Sequence, residues 1–475
     1  MKQRIILALL IVIAGFTSCS DDDEVMQAPV ISGIEDAYSI LEDAELELNP
    51  TIENNYNATY IWQLDGIEVA NTLNYVFVQS NPGDYKLVLK VANDGGVDEK
   101  TISIVVGAKD FTVETVAHTL TSLEAPDYMK ENGDIEWEVL ETPSTLYRLS
   151  QMTDEEAPIF VAAEEGTYLL QVSSGDIKGE VTVIVANPSE EPSAYIAKVY
   201  DYLPAPGQFV NKIPKYDEGD THEDMVAKAA KNMVGENGTY ITLGGWGGYV
   251  VFGFDHTIVN VEGKQDFRIE GNAFENSSEP GIIMVSYDAN GNGEPDDEWY
   301  EINGSANFTA ENEEWYQSAL EAENDVNTYR DFELTYYKPT DEASNTEYLR
   351  WTNNKGEEGY KAKRNAYPAW INEDKIIFEG ISLAQNGVKS GAFAQLKSFK
   401  YGYADNHANN DVRSTINIDW AIDKDGNKVN LPGINFVKVY TGVDQDNGML
   451  GENSTEVGKA SDLHLLDESI DSIEE

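Results

Sequence analysis

An acidic, glycine-bearing loop at residues 288–298 holds the side chains best suited to metal chemistry. Oxygen-bearing side chains recur along it, and the candidate ligands are Asp288, Asn290, Asn292, Glu294, Asp296, Asp297 and Glu298. Alternating oxygen ligands let one short loop wrap a hard cation, and Gly293 occupies the sharp-turn position of EF-hand spacing. The match is partial, because Trp299 stands where an EF-hand has its closing bidentate Glu. The loop predicts a structural calcium site, with a plain Asn-Gly turn as the alternative.

A second set of side chains suits the binding of a large planar ligand or a sugar. Residues 359–370 form a cationic and aromatic segment in a very acidic chain, and residues 401–411 form a polar-aromatic loop. Stacking rings combined with hydrogen-bond donors fit a ligand with pendant carbonyl or phosphate groups. A glycine-rich turn contributes a further ring, that of Trp246. The predicted ligand-binding residues are Trp246, Arg364, Tyr367, Trp370, Tyr403 and Asn406. The alternative is that the rings pack in the core, as aromatic side chains usually do.

Enzyme chemistry has weaker support in the sequence. Pairs of carboxylates are expected by chance where Asp and Glu number 85, and the chain contains no G-x-S-x-G motif. The five histidines lack H-x-x-x-H spacing, which argues against a catalytic zinc site, and His407 is interpreted as a surface-loop residue. A glycosidase remains as a third alternative, since it needs only two carboxylates about 5–10 Å apart. We therefore expect a binding protein and not an enzyme.

Composition narrows the class of partner. Over 475 residues the formal net charge is -53, which repels nucleic acid and anionic lipid headgroups and favours cations. The chain has one cysteine, Cys19, so it can form neither an intrachain disulfide nor a Cys-rich zinc site. Frequent glycine and tyrosine, with few long amphipathic stretches, favour an all-β fold.

The N-terminus accounts for that cysteine. A short basic start, an apolar run over residues 5–15 and the sequence Phe16-Thr17-Ser18-Cys19 resemble a bacterial lipoprotein signal with its lipobox. The acidic run at residues 20–24 resembles the surface-export signal of gut-commensal Gram-negative lipoproteins. The resemblance implies a signal peptide with its lipobox at residues 1–19, cleaved so that Cys19 becomes the lipidated N-terminus, then an acidic tether at 20–27 and a lipid anchor at the outer-membrane cell surface. A signal cut by an ordinary peptidase is the alternative.

Two consecutive segments, 28–107 and 108–187, have the period-two alternation of β-strands. In the first, Trp62 lies in an early strand and Tyr85 begins a late one; Trp137 and Tyr168 repeat the pattern in the second. A core Trp and a Tyr that ties a corner to the backbone are typical of Ig-like sandwiches of the polycystic-kidney-disease (PKD) type. The segments are predicted to form a stalk of two such modules.

A polar Pro/Ser linker at 188–193 precedes a larger domain, predicted at 194–466, and an acidic tail at 467–475. One helix is predicted, because Thr221 with Asp224 forms a capping-box pattern and Gly235 follows as a stop. Its apolar face consists of Met225, Val226, Ala229, Ala230 and Met233. The strand-like segment 416–423 is predicted to place Trp420 in the core and Asn417, Asp419 and Asp423 on a solvated face.

An ordered set of motifs in this last domain carries a family resemblance. The set is Gly244 to Asp255, Asp266 to Phe274, Glu279 to Ile282, the acidic loop through Tyr300, and Ile418 to Ala421. It resembles bacterial cell-surface lipoproteins in which Ig-like modules precede a discoidin-like β-sandwich, similar to the corrinoid (vitamin B12) capture lipoproteins of gut commensals.

The resemblance implies two Ig-like sandwiches followed by a larger jelly-roll or discoidin-like sandwich that captures a small ligand. A corrinoid is the first expectation, and a glycan-binding or adhesive module is the alternative. A TonB-dependent outer-membrane transporter is the candidate protein partner.

Overall fold

The computed structural model describes residues 26–130, 133–153, 156–175, 177–390, 393–448 and 451–473, and most of its regular structure is β-strand. The chain divides into two compact units, one of residues 1–109 with 126–132 and one of residues 110–125 with 133–475. Among the described residues no helix is both long and apolar enough to cross a membrane. The predicted signal segment, Cys19 and the start of the acidic tether lie outside the described residues.

The first unit contains the Ig-like sandwich predicted for residues 28–107. Its strands are β1 (Val30–Ser32), β2 (Ala37–Leu41), β3 (Leu46–Leu48), β4 (Thr51–Glu53), β5 (Thr59–Leu64), β6 (Ile67–Ala70), β7 (Tyr75–Phe77), β8 (Gly83–Asn93) and β9 (Gly96–Gly107). Five of them form a sheet in the order β2-β9-β8-β5-β6, with β2 parallel to β9. The unit also takes in a short helix, α1 (Asp127–Lys130).

Two aromatic residues organise this sandwich as predicted. Trp62 is fully buried and donates its indole N–H to the carbonyl of Thr72 at 3.0 Å. The hydroxyl of Tyr85 donates to the carbonyl of Asn81 at 2.8 Å, which ties the corner before β8 to the backbone. Both contacts satisfy the polar end of a large ring that is otherwise packed against the core.

The second sandwich repeats this plan within the second unit. Its strands are β10 (Phe111–Val116), β11 (Thr121–Ser122), β12 (Ile135–Glu141), β13 (Tyr147–Ser150), β14 (Ile159–Ala162), β15 (Gly166–Ser174) and β16 (Ile177–Ala186). Sheet orders are β10-β16-β15-β12 and β11-β14-β13, and β10 runs parallel to β16 as β2 does to β9. The hydroxyl of Tyr168 donates to the carbonyl of Glu164 at 3.0 Å, the same corner as in the first sandwich.

Trp137 departs from the predicted repeat. It is only half-buried and lies edge-on to Phe111 with ring centroids 6.4 Å apart. The fully buried rings of this sandwich are Phe160 and Tyr168, 5.2 Å apart. These rings fill the core where Trp62 does so in the first module.

The remainder of the second unit is the larger β-sandwich. Its strands are β17 (Lys198–Leu203), β18 (Ile241–Thr242), β19 (Tyr249–Val259), β20 (Phe267–Ile269), β21 (Gly281–Ser286), β22 (Tyr300–Ile302), β23 (Tyr329–Tyr337), β24 (Leu349–Asn353), β25 (Glu358–Lys361), β26 (Lys375–Ser382), β27 (Gly387–Ser390), β28 (Phe393–Leu396), β29 (Thr415–Ile416), β30 (Ala421–Ile422), β31 (Gly433–Thr441), β32 (Glu456–Val457) and β33 (Ala460–Asp462). A six-stranded antiparallel sheet, β17-β19-β31-β21-β22-β30, runs through its centre. A four-stranded sheet, β25-β24-β23-β26, and a three-stranded sheet, β29-β20-β33, complete the main layers.

The predicted helix is confirmed as α2 (His222–Met233). Thr221 is its N-cap, and the side chains of Thr221 and Asp224 each accept a hydrogen bond from the other's backbone, the reciprocal arrangement of a capping box. Three apolar residues of the predicted face, Met225, Ala229 and Met233, are fully buried in the main core. A further short helix, α3 (Tyr316–Glu321), was not predicted, since its six residues are too few for a clear apolar period.

The prediction of a solvated polar face at residues 416–423 is wrong for Asn417 and Asp419. A 3₁₀ turn at Ile418–Trp420 interrupts the strand, and the side chain of Asn417 caps it by accepting from the backbone N–H of Asp419 at 2.7 Å. Asn417 is buried, and Asp419 pairs with Arg148 at 2.7 Å. Trp420 is buried as predicted, although the turn and not strand alternation directs it inward.

Residues beyond 466, predicted as an acidic tail, pack on the domain as far as they are described. The backbone N–H of Ser472 donates to the carbonyl of Gly263 at 2.9 Å, and Asp471 pairs with Lys264 at 2.7 Å. These contacts attach residues 471 and 472 to residues 263 and 264 of the third sandwich.

Candidate functional site

A cleft of about 560 Å³ in the large sandwich is the best candidate for a ligand site. Aromatic, cationic, acidic and amide side chains all contribute to it. The lining residues are Phe274, Glu275, Asn276, Ser278, Glu313, Glu314, Trp315, Ser318, Lys397, Ser398, Phe399, Lys400, Asn406, His407, Ala408, Asp411 and Arg413. This volume is within the range of small-molecule sites, and the lining is more polar than is usual for them.

Phe274 is the most exposed large ring at the cleft. Its side chain is 64% exposed, and a tight turn presents it. The backbone N–H of Ser277 donates to the carbonyl of Phe274 at 2.8 Å, and Asn276 sits in the left-handed region with φ 63°. Asn tolerates this conformation better than most residues. An exposed phenyl ring on a hydrogen-bonded turn is available for stacking on a ligand.

The apolar wall of the cleft is built from packed rings. Trp315 and Phe399 lie edge to face with centroids 5.2 Å apart, and both are buried. The indole N–H of Trp315 donates to the carbonyl of Ser398 at 3.0 Å, which fixes the segment that carries Lys397 and Lys400. The wall is therefore rigid, and its chemistry comes from the loop residues attached to it.

Asn406 and His407 hold that segment in place. The Asn406 side chain accepts from the Phe399 N–H and donates to the Phe399 carbonyl, both at 2.8 Å. His407 Nε2 lies 2.8 Å from the Phe399 carbonyl and 3.1 Å from that of Lys400, so it carries the proton and donates. The interpretation of His407 as a surface residue is wrong: it is buried, and burial together with nearby Arg413 lowers its pKa.

Charged groups surround the opening. Arg413 forms two hydrogen bonds with Asp411, at 2.9 and 2.6 Å, and this pairing lowers the pKa of Asp411 to about 2. Burial raises the pKa of Glu313, which accepts from the hydroxyl of Ser305 at 2.5 Å. Lys400 is exposed beside it. The cleft thus offers both cations and carboxylates to a polar ligand.

A larger hollow of about 910 Å³ lies between the second and third sandwiches. Its polar groups are engaged in the contact between the two domains, because Arg148 pairs with Asp419 at 2.7 Å and donates to Asn430 at 3.1 Å. We assign it to domain packing and not to ligand binding.

Of the residues predicted to bind ligand, only Asn406 lines the cleft. Its side-chain amide is already hydrogen-bonded to the backbone of Phe399. Trp246 and Tyr367 belong to one buried cluster, where the Trp246 indole N–H donates to the carbonyl of Ile381 at 3.1 Å. The Tyr367 hydroxyl donates to the carbonyl of Glu373 at 3.0 Å. These rings serve the core, the alternative that the sequence left open.

The other two predicted rings lie in two further clusters. Trp370 is stacked between Tyr202 and Tyr216, with centroids 6.2 and 6.3 Å away. Tyr403 packs on Phe399 at 5.0 Å. The four rings are thus divided among three interior clusters, and among the described residues they form no shared stacking face. Each ring buries its apolar area in the core, as large aromatic side chains usually do.

Arg364, the cation among the predicted ligand-binding residues, is exposed. Its guanidinium donates to the two carboxylate oxygens of Asp446, at 3.0 and 3.2 Å. It does not line the cleft.

The acidic loop is closed by hydrogen bonds among its own side chains and backbone. The carboxylate of Asp288 accepts from the backbone N–H groups of Asn292 and Gly293, at 3.0 and 2.9 Å. Asn290 and Asn292 direct their amide groups at Asp296, at 3.0 and 3.1 Å, which lowers the pKa of that carboxyl. Gly293 has φ 75°, a left-handed value that favours glycine, so it provides the predicted sharp turn.

The loop's remaining predicted ligands differ in role. Asp297 accepts from the backbone N–H of Ala289 at 3.1 Å and so faces the same loop. Glu294 instead pairs with Lys198 at 3.0 Å, and Glu298 accepts from the hydroxyl of Tyr300 at 3.2 Å. Five of the seven candidate ligands therefore take part in hydrogen bonds within the loop, and the side chains of Glu294 and Glu298 bond to residues of neighbouring strands.

Three carboxylates that meet in the large sandwich, of which two are buried, were not predicted, because they are far apart in the chain. One oxygen from each of Glu279, Asp405 and Glu456 lies within 4.8 Å of the others. Burial raises the pKa of Asp405 to about 7, and burial together with the charge of Asp405 raises the pKa of Glu456 to about 8. At least one proton is therefore shared in this group near neutral pH.

Comparisons with known proteins find one family match over part of the chain and weak similarities to solved structures. A search of curated proteins returns no match. Among solved structures, a quinonprotein alcohol dehydrogenase-like protein from Bacteroides thetaiotaomicron is 22% identical over 17% of this chain and 20% of its own, with a TM-score of 0.16. An I-band fragment of titin is 16% identical over 34% of this chain and 66% of its own, with a TM-score of 0.18.

Immunoglobulin domains 1–5 of Sidekick-1 are 14% identical over 38% of this chain and 43% of their own, with a TM-score of 0.20. The chain thus spans less than two thirds of each of these structures, and similarities this low support no argument about function. Residues 29–93 match the family of PKD-like domains. The first unit accordingly contains a module similar to that family, as the Trp62 and Tyr85 contacts predict.

Proposed function

We propose that this chain is a surface lipoprotein that captures a small polar ligand in the cleft of its large sandwich, with a corrinoid as the first candidate. The observation that carries the proposal is the exposed Phe274 ring beside charged side chains of both signs, the cations Lys397, Lys400 and Arg413 and the carboxylates Glu275, Glu313, Glu314 and Asp411. An apolar ring bordered by both cations and carboxylates favours a ligand with an apolar face and with substituents that accept and donate hydrogen bonds.

A corrinoid has this combination of groups. Its macrocycle offers a broad apolar face, ringed by amides, and a phosphate hangs below. Phe274 is placed to contact such a face, while the cations and the carboxylates of the cleft answer the phosphate and the amide N–H groups. The cleft holds part of so large a ligand, so the rest of it would remain outside.

Capture at the surface fits the rest of the chain. The lipoprotein-like N-terminus with Cys19 would anchor the protein in the outer membrane, and the PKD-like and Ig-like modules would carry the large sandwich away from the lipid. A TonB-dependent transporter is the partner that such a protein would supply. In this proposal the chain binds and delivers its ligand, and it performs no catalysis.

Calcium has a structural place in the proposal. Asp288, Asn290, Asn292, Asp296 and Asp297 supply hard oxygen atoms of the kind that calcium prefers. Bound calcium would replace the amide-to-carboxylate hydrogen bonds within the loop and hold the hairpin between β21 and β22.

A glycan is the second candidate, because most residues that line the cleft are polar. Glu275, Asn276, Glu314 and Asp411 provide acceptors for sugar hydroxyl groups around the Phe274 ring. A ring bordered by carboxylates and amides is an ordinary arrangement for holding a sugar face.

Calorimetry distinguishes the two ligand classes. Purified protein lacking the lipid is titrated with cyanocobalamin and, separately, with a panel of oligosaccharides. Saturable heat with the corrinoid alone supports the first candidate. Saturable heat with an oligosaccharide and none with the corrinoid replaces it with the second.

A further inference from the structure

Two histidines and an aspartate that are far apart in sequence meet where the second sandwich contacts the third. One ring nitrogen each from His118 and His256, and one carboxylate oxygen of Asp462, lie within 4.8 Å of one another. All three residues are buried, and the two rings stand edge to face with centroids 5.0 Å apart. None of these three residues lines the cleft or belongs to the acidic loop at 288–298.

The backbone places these side chains firmly. His118 follows β10 in the second sandwich, with φ 63°, and its N–H donates to the carbonyl of Ala162 at 2.7 Å. His256 belongs to β19 and Asp462 ends β33, both in the third sandwich. The N–H of Thr257 donates to the His118 carbonyl at 3.3 Å, which joins the two domains beside the histidines.

The hydrogen bonds of His118 determine its tautomer. Its Nδ1 lies 3.2 Å from the carbonyl oxygen of Thr257. A carbonyl only accepts, so Nδ1 carries the proton and Nε2 is left with a lone pair. A histidine whose second nitrogen donates to a backbone carbonyl is oriented in the way that metal-binding histidines usually are.

His256 has the other common support. Its Nδ1 lies 2.9 Å from Asp255 and its Nε2 lies 2.9 Å from Asp462. With Nδ1–H donated to Asp255, Nε2 is the ligand atom of a carboxylate–histidine–metal arrangement. Asp462 is fixed as well, because its Oδ1 accepts from the N–H of His464 at 2.7 Å, while Oδ2 faces His256.

We propose that His118 Nε2, His256 Nε2 and Asp462 Oδ2 bind a divalent transition metal, Zn²⁺ foremost, which joins the second sandwich to the third. Two imidazoles and one carboxylate form a donor set that suits zinc and its neighbours and disfavours calcium and magnesium. Zinc bonds of about 2.0–2.1 Å in a tetrahedron require ligand atoms about 3.3 Å apart. Small side-chain movements bring atoms already within 4.8 Å to that spacing.

Binding exchanges a proton for the metal. Without metal, the 2.9 Å contact between His256 Nε2 and Asp462 Oδ2 requires a proton on Nε2, in addition to the one donated to Asp255. Zn²⁺ takes the Nε2 lone pair and the Asp462 oxygen, and that proton leaves to solvent. No other bond forms or breaks, and a water completes the fourth position.

The metal would reinforce a contact that already holds the two domains. Val161 of the second sandwich packs against Val259 and Val261 of the third, and Arg148 pairs with Asp419 at 2.7 Å. These contacts position His118 opposite β19 before any metal arrives. The site is therefore largely preformed, and its role is structural, independent of the ligand in the cleft.

The experiment is a cobalt titration of the full soluble chain after dialysis against a chelator. Co²⁺ in a tetrahedral nitrogen and oxygen site gives visible absorption bands, whereas Co²⁺ on surface carboxylates does not give the tetrahedral spectrum. We expect one equivalent of Co²⁺ to produce these bands and one equivalent of Zn²⁺ to abolish them.

Three variants locate the site. His118→Gln keeps a donor for the Thr257 carbonyl and removes the imidazole lone pair, so we expect the tetrahedral bands to be lost. Asp255→Asn leaves the ligands in place and weakens their support, so affinity should fall about 10–100-fold. His222→Gln, at an exposed histidine that pairs with Asp201, should leave the titration unchanged.

Circular dichroism of each variant confirms that it is folded before the titration is interpreted. Absence of tetrahedral bands in the parent protein overturns the proposal. It is equally overturned if His118→Gln and Asp255→Asn both bind Co²⁺ as the parent does.

Discussion

At the scale of single residues, the chemistry of a side chain was easier to predict than its exposure. The rings at positions 246, 367, 370 and 403 have the composition of a ligand platform, yet each is buried. Phe274, which stands in a motif with no unusual chemistry, is exposed at the cleft. The difference comes from partners distant in the chain, such as Ile381 for Trp246, and a local pattern carries no information about them.

Buried carboxylates give a prediction of pH dependence at this scale. The folded pKa values of Asp405 and Glu456, about 7 and about 8, are above the ordinary values for these groups. The stability that their protonated forms contribute is therefore complete below the ordinary carboxyl pKa of about 4. It is lost as the pH rises from there through the folded pKa values, by up to about 1.4 kcal/mol per pH unit for each extra proton bound by the folded state.

Glu456→Gln removes one ionisation and can still bond to Ser454 and Asn272, the partners of the native side chain. Melting temperatures measured at pH 5 and pH 9 in chelating buffer should therefore differ less for Glu456→Gln than for the parent. Glu236→Gln, at an exposed position, is the control and should follow the parent. A variant as sensitive to pH as the parent would refute the assignment.

At the scale of elements, sequence patterns predicted the helices and strands that are determined by contacts between residues close together in the chain. The capping box of Thr221 and Asp224 set the start of α2, and the period-two pattern with Trp62 and Tyr85 predicted the first sandwich. The 3₁₀ turn at Ile418–Trp420 was missed, because Asn417 caps it within a segment whose alternation is that of a strand. Capping by Asn is a local hydrogen bond that competes with sheet pairing.

The N-cap of α2 offers a direct test of local stability. Thr221→Ala removes the side-chain acceptor for the backbone N–H of Asp224, a loss that costs about 1 kcal/mol in helix stability. Hydrogen exchange in the first turn of α2 should then speed up about five-fold under conditions where exchange reports the opening equilibrium. Thr340→Ala, at an exposed loop position, should not change it. Unchanged exchange after Thr221→Ala would show that packing of Met225 and Ala229 alone holds this turn.

The acidic loop is the second element with a testable role. If it binds calcium, a chelator should lower the melting temperature and calcium should restore it in preference to magnesium; ligand at about 100 times Kd stabilises a protein by about 2.7 kcal/mol. The double substitution Asp288→Ala, Asn292→Ala should remove this difference.

A matched control is available in another Asp-Asn loop. Asp423 accepts from the backbone N–H groups of Asp425 and Asn427, at 2.9 and 2.8 Å, in a turn of similar composition. Asp423→Ala with Asn427→Ala should leave the calcium effect intact. A parent protein whose melting is indifferent to chelator would return the loop at 288–298 to a plain turn.

At the scale of the whole molecule, the order of domains was predictable and their long-range groups were not. Strand alternation and the Pro/Ser linker at 188–193 indicated where modules begin. The groups Glu279, Asp405, Glu456 and His118, His256, Asp462 each combine residues more than fifty positions apart. Only the folded sandwich brings them together, so sequence spacing could not reveal them.

The proposed anchor is tested on whole cells. Metabolic labelling with a fatty acid should mark the wild-type protein and fail for Cys19→Ala, because the thiol is the site of lipidation in such signals. Added protease should remove the protein from intact cells, while a periplasmic marker stays protected as the control. Protection of the protein from that protease would contradict surface exposure, and labelling of Cys19→Ala would contradict the anchor.

Ligand capture in the cleft is the central claim, and one comparison of affinities tests it most directly. The ligand found by calorimetry is titrated into the parent, Phe274→Ala and Phe308→Ala; Phe308 is also an exposed ring, 53% accessible, but does not line the cleft. Loss of a ring that contacts ligand costs on the order of 1–3 kcal/mol, about ten- to a hundred-fold in affinity. The account predicts this loss for Phe274→Ala and parent-like affinity for Phe308→Ala. Parent-like affinity in Phe274→Ala would contradict it.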